Sequence, residues 1–311
     1  MAAARGKLHA FLSAYWLRPE NAFWMVLRSD ALDACRLEAP WIDLSCGDGV
    51  FSFLHAGGRF DDAFDVFTSV AHLDRVKTSH ADIFDHVDEA YRPGIVRRPS
   101  STIACGSDWK AALLEKAGRL ALYDRLIEHD NNRPLPVPDG AFQTVYCNAI
   151  YWVERIDAFL AEIRRICAPA GRVILEVKLD SILSCTLERF RSGLGDEFLS
   201  IINRGRFATW PSMSDRVTWE RRFEQAGLRT VRAIPFATRT HAHVWDVGLR
   251  PIAPLLARMA NALTPATRLS IKRDWIALFE DLAKPFCDPT LRLADSTTEE
   301  EVEVLFELRP R

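Results

Sequence analysis

The chain has 311 residues, of which 48% are hydrophobic, and a formal net charge of −2 at pH 7. This length and apolar content predict a folded protein with a large core and exclude a disordered chain. The small net charge does not favour a nucleic-acid partner. No apolar run approaches ~20 residues, so no membrane partner is expected through a spanning helix.

The seven cysteines are scattered, and none forms a Cys-x-x-Cys pair. This pattern predicts reduced thiols and no zinc site. Arg5 and Lys7 precede an apolar run that His9 interrupts and Arg18 ends, so a secretory signal is not expected. We therefore expect a cytoplasmic protein.

Residues 1–40 are predicted to form a helical cap. Leu12 and Trp16 lie at helical spacing, and Phe23 begins a second apolar repeat after Pro19. Pro19 suits the first turn of a second helix. These helices are expected either to pack on a sheet or to cover a site at its edge.

The stretch from Trp41 to Phe51, W-I-D-L-S-C-G-D-G-V-F, has the pattern of a strand, a glycine turn and a helix. Gly47 and Gly49 permit positive φ and the close approach of a ligand. The helix N-terminus would point its N–H groups into the same crevice, where doubly wound folds bind nucleotides. A dinucleotide fingerprint needs a third glycine where Ser52 stands, which argues against NAD.

Residues 55–101 are predicted to be an insertion. Their cluster D-I-F-D-H at 82–86 has no second ligand cluster at matching spacing, so no metal site is expected.

The next strand is predicted at 102–108, T-I-A-C-G-S-D, with Asp108 at its carboxyl end. A carboxylate there can accept both hydroxyls of a ribose. Asp65 is the competing ribose ligand, because Asp108 lies much farther from the glycine turn than the usual ~20 residues. Asp108 is favoured because an amphipathic helix is predicted at 109–123.

Two further strands are predicted at 125–130 and 143–148, followed by a helix at 156–167 and a strand at 172–177. The first ends at Asp130, which Asn131 follows. The stretch L-P-V-P-D-G-A-F precedes the second, which ends at Asn148.

The motifs D-L-S-C-G-D-G, G-S-D and L-P-V-P-D-G-A-F-Q-T-V-Y-C-N resemble those of the Rossmann-like (class I) S-adenosylmethionine-dependent methyltransferases of the small-molecule type. The resemblance implies an α/β fold with a doubly wound, mostly parallel seven-stranded sheet and helical cap and lid insertions. It also implies S-adenosyl-L-methionine as cofactor, S-adenosyl-L-homocysteine as product and a small molecule as methyl acceptor.

The resemblance further implies roles for particular residues. Asp43 would hold the methionine amino group, and Asp108 the ribose. Asp130 would contact adenine, and Asn148 would line the floor beneath the sulfonium. The full expected set of cofactor-binding residues is Asp43, Ser45, Cys46, Gly47, Gly49, Asp108, Trp109, Asp130, Asn131 and Asn148.

Residues 41–180 are expected to form the cofactor-binding core, and residues 181–311 to complete it with two strands. These strands are predicted at 229–236 and 301–308, the last one antiparallel at the sheet edge. Helical insertions at about 181–214 and about 240–297 are expected to recognise the substrate and to cover the site.

Methyl transfer from a sulfonium is an in-line displacement, so positioning matters most and a base is needed only for an acceptor that loses a proton. His241 is the first candidate base, and Tyr151 is the alternative. His243 would share a face with His241 if the segment were extended. Instead of acting as a base, His241 and Tyr151 could each only shape the pocket. Where the family often has L-E-H, this chain has Ile150–Trp152, so a mechanism resting on that histidine does not apply.

Two alternative functions remain at this point. An NAD(P)-dependent oxidoreductase is opposed by Ser52 and by the proline-rich motif, and a non-catalytic S-adenosylmethionine-binding protein is opposed by the acidic residues. A homodimer is one possible assembly. The sequence does not identify the acceptor atom, although the aromatic insertions favour an apolar or aromatic acceptor.

Overall fold

A computed structural model describes residues 2–70, 84–203, 210–246, 248–287 and 298–311. Its centre is a sheet of seven strands: β1 Trp41–Leu44, β4 Cys105–Asp108, β5 Leu126–Glu128, β6 Phe142–Cys147, β7 Cys167–Lys178, β8 Leu228–Thr238 and β9 Glu301–Pro310. Their order is β5-β4-β1-β6-β7-β9-β8. A separate two-stranded sheet pairs β2 Arg59–Phe60 with β3 Ile95–Arg97 inside the predicted insertion.

The expected doubly wound, mostly parallel sheet is confirmed. Neighbouring strands from β5 to β7 are parallel, and β9 is antiparallel to both β7 and β8. The predicted edge position of the last strand is wrong, because β9 lies inside the sheet and β8 forms the edge. Glu303 and Glu307 give β9 the alternation of a half-solvated strand, but both are buried and pair with cations.

Ten described helices accompany the strands: α1 Ala2–Tyr15, α2 Pro19–Asp33, α3 Val50–His55, α4 Ala111–Gly118, α5 Ile156–Ile166, α6 Arg191–Asn203, α7 Arg216–Gln225, α8 Arg239–Asp246, α9 Ala253–Asn261 and α10 Pro265–Cys287. Pro19 lies in the first turn of α2, as predicted. The helix predicted over 109–123 is shorter, since α4 ends at Gly118 and Ala121 adopts φ 49°. None of the helices in the described ranges combines the length and apolar character that a membrane span needs.

Helices cover both faces of the sheet. On one face, Phe159 and Ile163 of α5 and Trp219 of α7 pack against Ile42 and Val145. On the other face lie α1, α2, α3, α9 and α10. The N-terminal helices therefore pack on the sheet as a full layer.

The face beneath α1 and α2 carries a row of polar side chains. Asp43 of β1 pairs in register with Tyr146 of β6, and Lys178 of β7 with Glu303 of β9. Glu176 projects from the same face as Lys178, because side chains alternate along a strand. This row extends from the end of β1 to the end of β7.

Several predictions fall partly outside the described residues. The described residues do not include 82–83 of the D-I-F-D-H cluster or 204–209 of the first predicted lid insertion. Positions 247 and 288–297 of the second insertion also lie outside. The division of the chain into cap, core and lid stays a prediction.

Candidate active site

The glycine turn lies at the carboxyl end of β1. Ser45, Gly47 and Gly49 all have positive φ, at 57°, 59° and 74°. The Cys46 N–H donates to the Ser107 carbonyl at 2.9 Å, which ties the turn to β4. The chain then enters α3 directly, so the turn and the first N–H groups of a helix face the same edge.

The two glycines of the turn serve different purposes. A Cβ at Gly49 would lie 3.0 Å from the Tyr123 ring and 3.2 Å from Leu120, so Gly49 is required by packing. A Cβ at Gly47 would meet no heavy atom of the described residues within 4 Å. The open side of the turn is therefore at Gly47, where a ligand can approach the backbone.

Asp108 lies beside this turn, at the carboxyl end of β4. Its Oδ2 accepts from the Gly47 N–H at 3.0 Å, and its Oδ1 accepts from the Lys110 N–H at 3.0 Å. Burial raises the pKa of Asp108, and the two backbone donors oppose this shift. The strand order thus brings together two residues that are far apart in the sequence.

Asp65 occupies a different environment. It is fully buried, and Arg268 of α10 donates to both of its oxygens at 2.6 and 2.8 Å. The Trp16 indole donates to Oδ2 at 2.9 Å, and the Phe67 N–H to Oδ1 at 3.0 Å. The carboxylate of Asp65 therefore joins the insertion to α1 and α10 through internal bonds.

The chain after β5 also reaches the turn. The Asn131 amide donates to the Ser45 hydroxyl at 2.8 Å. Its Oδ1 is buried and has no hydrogen-bond partner among the described residues. Asp130 is half-exposed and accepts from the Asn132 N–H at 2.9 Å, which lowers its pKa.

The remaining predicted cofactor residues border the same edge. Trp109 follows Asp108 and is 60% exposed, with the Lys110 ammonium 5.3 Å from its ring centroid. Asn148 follows β6 and is half-buried. Cys46 is buried, and burial raises the pKa of its thiol well above the usual value.

Asp43 lies deeper than the sequence suggests. It is 1% exposed, and its Oδ2 accepts from the Ser52 hydroxyl at 2.5 Å and from Tyr123 at 2.8 Å. Burial raises the pKa of Asp43 to about 6. Ser52 therefore has a specific partner at the position where a dinucleotide fingerprint has glycine. Tyr123 follows α4, and no local sequence signal marks it as part of the site.

The structure contradicts the environment expected for His241. The segment after β8 is the helix α8 and not an extended chain, so His241 and His243 point in different directions. The His241 Nδ1 accepts from the Thr238 N–H at 3.0 Å, and Nε2–H donates to the Phe286 carbonyl at 3.2 Å. Burial lowers the pKa of His241. Both ring nitrogens are thus used within the core, which opposes its predicted role as a base.

Tyr151 lies in a single helical turn, Ile150–Trp152, directly after β6. It is buried, and its hydroxyl oxygen accepts from Arg28 of α2 at 3.2 Å. Burial raises the pKa of Tyr151, although Arg28 lowers it in opposition. The phenol is therefore protonated near neutral pH and can act as a donor more readily than as a base.

Residues 98–175 match the protein family described as Methyltransferase domain. The matched segment runs from the end of the insertion into β7 and contains Asp108, Asn131 and Asn148. No curated protein matches the chain.

Solved structures resemble the chain at low identity. A possible histamine N-methyltransferase from Thermotoga maritima is 11% identical over 94% of this chain and 91% of its own, with a TM-score of 0.45. Geranyl diphosphate C-methyltransferase from Streptomyces coelicolor, solved with Mg²⁺, geranyl diphosphate and S-adenosyl-L-homocysteine, is 13% identical over 91% and 77%, with a TM-score of 0.42. The protein in complex with the Haloferax volcanii Trm112 methyltransferase activator is 16% identical over 70% and 74%, with a TM-score of 0.43. Likeness at this level does not identify a substrate or a partner.

Residues 98–175 thus form a methyltransferase domain, and the seven-stranded, mostly parallel sheet has the Rossmann-like methyltransferase fold. The chain is an enzyme, and S-adenosyl-L-methionine is its cofactor.

Proposed function

We propose that the enzyme transfers the methyl group to a small-molecule acceptor, with the cofactor bound across Gly47 and Asp108. The main support is the 3.0 Å hydrogen bond that joins the Gly47 amide to the Asp108 carboxylate at the ends of β1 and β4. It places a carboxylate beside an accessible stretch of backbone, as a nucleoside with two ribose hydroxyls requires.

The residues of the site fit S-adenosylmethionine on two observations. The side of Gly47 where a Cβ would project is open, and the buried Asn131 Oδ1 has no partner among the described residues. A ligand N–H can satisfy that oxygen, which otherwise carries a desolvation cost. In this proposal Asp108 holds the ribose, and Asp130 with Asn131 forms the adenine end.

The same proposal assigns the methionine end to the turn from Ser45 to Gly49, with Asn148 beneath the sulfonium. Asp43 supports the turn from below through Ser52 and Tyr123. When bound, the cofactor supplies a methyl group on a positively charged leaving group. The task of the protein is then to align the acceptor and to exclude water.

We propose Tyr151 rather than His241 as the group that contacts the acceptor. Tyr151 follows β6, directly beside β1, and its oxygen is already oriented by Arg28. Its O–H can donate to the acceptor and fix its orientation. His241 would contribute to stability, because its two nitrogens bond to Thr238 and Phe286.

Burial of the aromatic residues near the end of β7 supports a small acceptor. Trp24, Tyr151, Trp210 and Trp245 come from four different segments, and each is less than 8% exposed. A large acceptor would have to separate these segments to approach the site. The charge balance of −2 gives no support for a nucleic acid.

Calorimetric titration of S-adenosyl-L-homocysteine tests the cofactor site. Asp108→Ala should weaken binding by roughly 2–3 kcal/mol, the range for hydrogen bonds to a charged group. Asp124→Ala is the matched control, since it removes an exposed carboxylate at the opposite end of the sheet and should leave the affinity unchanged. Equal affinities for both variants would contradict the proposed site.

Transfer of labelled methyl groups tests the acceptor class. The enzyme and methyl-tritiated S-adenosylmethionine are incubated with a whole-cell extract, which is then separated into small-molecule, protein and RNA fractions. Label in small molecules supports the proposal, whereas label only in protein or RNA would refute it.

A further inference from the structure

The ammonium group of Lys178 lies in a cage of four aromatic rings. It is 4.9 Å from the ring centroids of Trp24, Tyr151 and Trp210, and 5.6 Å from that of Trp245. Lys178 is 2% exposed. Such contacts between a cation and ring faces are strongest when water is excluded. We call these four rings and Lys178 the aromatic cage.

A buried carboxylate completes the cage. Glu303 is fully buried and forms an ion pair with Lys178. Its Oε2 accepts from the Trp24 indole at 2.7 Å, and its Oε1 accepts from Arg28 at 2.9 Å. Burial opposes ionisation of Glu303, but Arg28 and Lys178 outweigh this effect and lower its pKa. The cage therefore holds charges that are paired and hydrogen-bonded, as buried charges must be.

Each ring of the cage belongs to a different part of the chain. Trp24 lies on α2, Tyr151 follows β6, and Trp245 lies on α8. Trp210 belongs to the chain before α7 and stacks on Trp245 at 6.0 Å between centroids. The ammonium of Lys178 is the group that all four rings contact.

The cage lies at the edge of the sheet where the cofactor site lies. Lys178 is the last residue of β7, and β7 is parallel to β6, which is parallel to β1. The carboxyl ends of these three strands therefore share one edge. Tyr151 belongs both to the cage and to the proposed acceptor contact.

We propose that Lys178 is a positioning residue, whose ammonium holds α2, Trp210 and α8 together as the wall of the acceptor site and orients Tyr151. This inference rests on the proposed function only where it states that the acceptor site lies beside the cage. The four rings surround the Lys178 nitrogen, so this nitrogen is not accessible to receive a methyl group.

Hydrogen exchange of Lys178→Met tests the proposal, because methionine retains the length of the side chain without the charge. Exchange should become about tenfold faster in 19–33, 210–215 and 239–246, the segments that lose the ammonium. Exchange in 41–44 and 105–108 should not change, and the affinity for S-adenosyl-L-homocysteine should stay within about twofold. Lys178→Arg keeps the charge and should restore protection.

Lys116→Met is the matched control. Lys116 is 1% exposed, donates to the Phe84 carbonyl at 2.8 Å and lies 5.1 Å from the Tyr91 ring. It is thus another buried lysine against an aromatic ring, but it belongs to α4. Its loss should affect exchange around Tyr91 and leave the segments of the cage protected.

The proposal is overturned if Lys178→Met speeds exchange uniformly, or if it changes nothing in the three segments. A gain of one methyl group at Lys178 on incubation with S-adenosylmethionine would also overturn it. If Lys178→Met does not fold, Trp245→Leu replaces it, since this change removes one ring and keeps the ion pair. Faster exchange confined to 239–246 then supports the proposal, and uniform exchange refutes it.

The acceptor found by methyl labelling permits a kinetic test. Lys178→Met should raise the KM for the acceptor about tenfold and leave the KM for the cofactor unchanged. Normal cofactor binding without any small-molecule product would refute the proposed function, while the exchange result would still decide the role of Lys178.

Discussion

The two ends of the shared sheet edge are built differently. At the glycine turn, the Asp108 carboxylate accepts from the backbone N–H groups of Gly47 and Lys110. At the aromatic cage, Glu303 and Lys178 form a buried pair, and Arg28 and Trp24 donate to the same carboxylate. The turn thus leaves a backbone surface free to receive a ligand, whereas the cage satisfies its polar groups internally.

This difference indicates that the two regions contribute to different properties. Changes at Gly47 and Asp108, on the open side of the turn, should reduce cofactor affinity more than they reduce stability. Changes at the aromatic cage should reduce stability and weaken binding of the acceptor. They should have little effect on the affinity for the cofactor.

Glu303→Ala should have the largest effect, because it leaves Lys178 and Arg28 as buried cations without their common partner. The free energy of unfolding should fall by about 3–5 kcal/mol, as when one partner of a buried ion pair is removed. Urea unfolding measures this loss, and the affinity for S-adenosyl-L-homocysteine should be retained in the folded fraction. Glu300→Ala, which breaks a surface pair with Arg239, should cost less than about 1 kcal/mol. Equal losses in the two variants would contradict the importance of the cage.

Glu176→Gln should change the pH dependence of stability. Glu176 is fully buried, and burial raises its pKa from 4.5 to about 7. The folded state binds this proton more tightly than the unfolded state, so its contribution to stability is complete below about pH 4.5 and declines as the pH rises through about 7. Between pH 5 and 8, the free energy of unfolding of the wild-type protein should therefore fall by at most about 3 kcal/mol more than that of Glu176→Gln.

Urea titrations at several pH values measure this difference, and Asp43→Asn is the matched variant at the turn. The pKa of Asp43 is about 6, so its contribution should be lost at lower pH than that of Glu176. Parallel stability curves for the wild type and Glu176→Gln would show that the buried carboxyl does not titrate as described.

Gly47→Val should reduce the affinity for S-adenosyl-L-homocysteine roughly 100-fold, about 2.7 kcal/mol. The branched side chain would project into the open side of the turn, where the ligand is proposed to contact the protein backbone. A non-glycine residue at φ 59° also costs about 1–2 kcal/mol of stability. Calorimetry and thermal unfolding measure the two effects separately.

Gly49→Ala gives the contrasting result for the same turn. Its Cβ would contact the Tyr123 ring at 3.0 Å, so this variant should lose stability before it loses affinity. Normal binding by Gly47→Val would show that the turn does not hold the cofactor.

The geometry of the glycine turn could be predicted because its signals are local. The pattern from Trp41 to Phe51 specifies a strand, a turn and a helix within a few residues, and Asp108 stands at the end of a short buried strand. The role of Tyr123 could not be predicted, since it depends on how α4 returns toward β1. The position of β9 could not be predicted either, because Glu303 and Glu307 resemble solvent-facing residues until their partners are known.

The aromatic cage was also beyond prediction from the sequence. Arg28 and Glu303 are 275 positions apart, and Lys178 and Glu303 are 125 apart. No periodicity or motif links residues at such separations. Only the antiparallel pairing of β7 with β9 places Lys178 opposite Glu303. The aromatic cage is therefore a product of tertiary structure, whereas the glycine turn follows from a local motif.

His241→Gln should have the smallest effect. It tests whether His241 acts as the base that the sequence predicts or only forms the internal hydrogen bonds seen in the structure. A general base contributes ~10²–10⁴ in rate, so a loss of that size is expected if His241 takes a proton from the acceptor. The structure favours a different result. Nδ1 accepts from Thr238 and Nε2–H donates to Phe286, and a glutamine amide can replace both bonds. We therefore expect turnover to fall less than about tenfold. Tyr151→Phe, measured in the same assay, should reduce turnover more, because it removes the hydroxyl that Arg28 orients. A 100-fold loss in His241→Gln with unchanged stability and cofactor affinity would restore His241 as the base and would require α8 to open during catalysis.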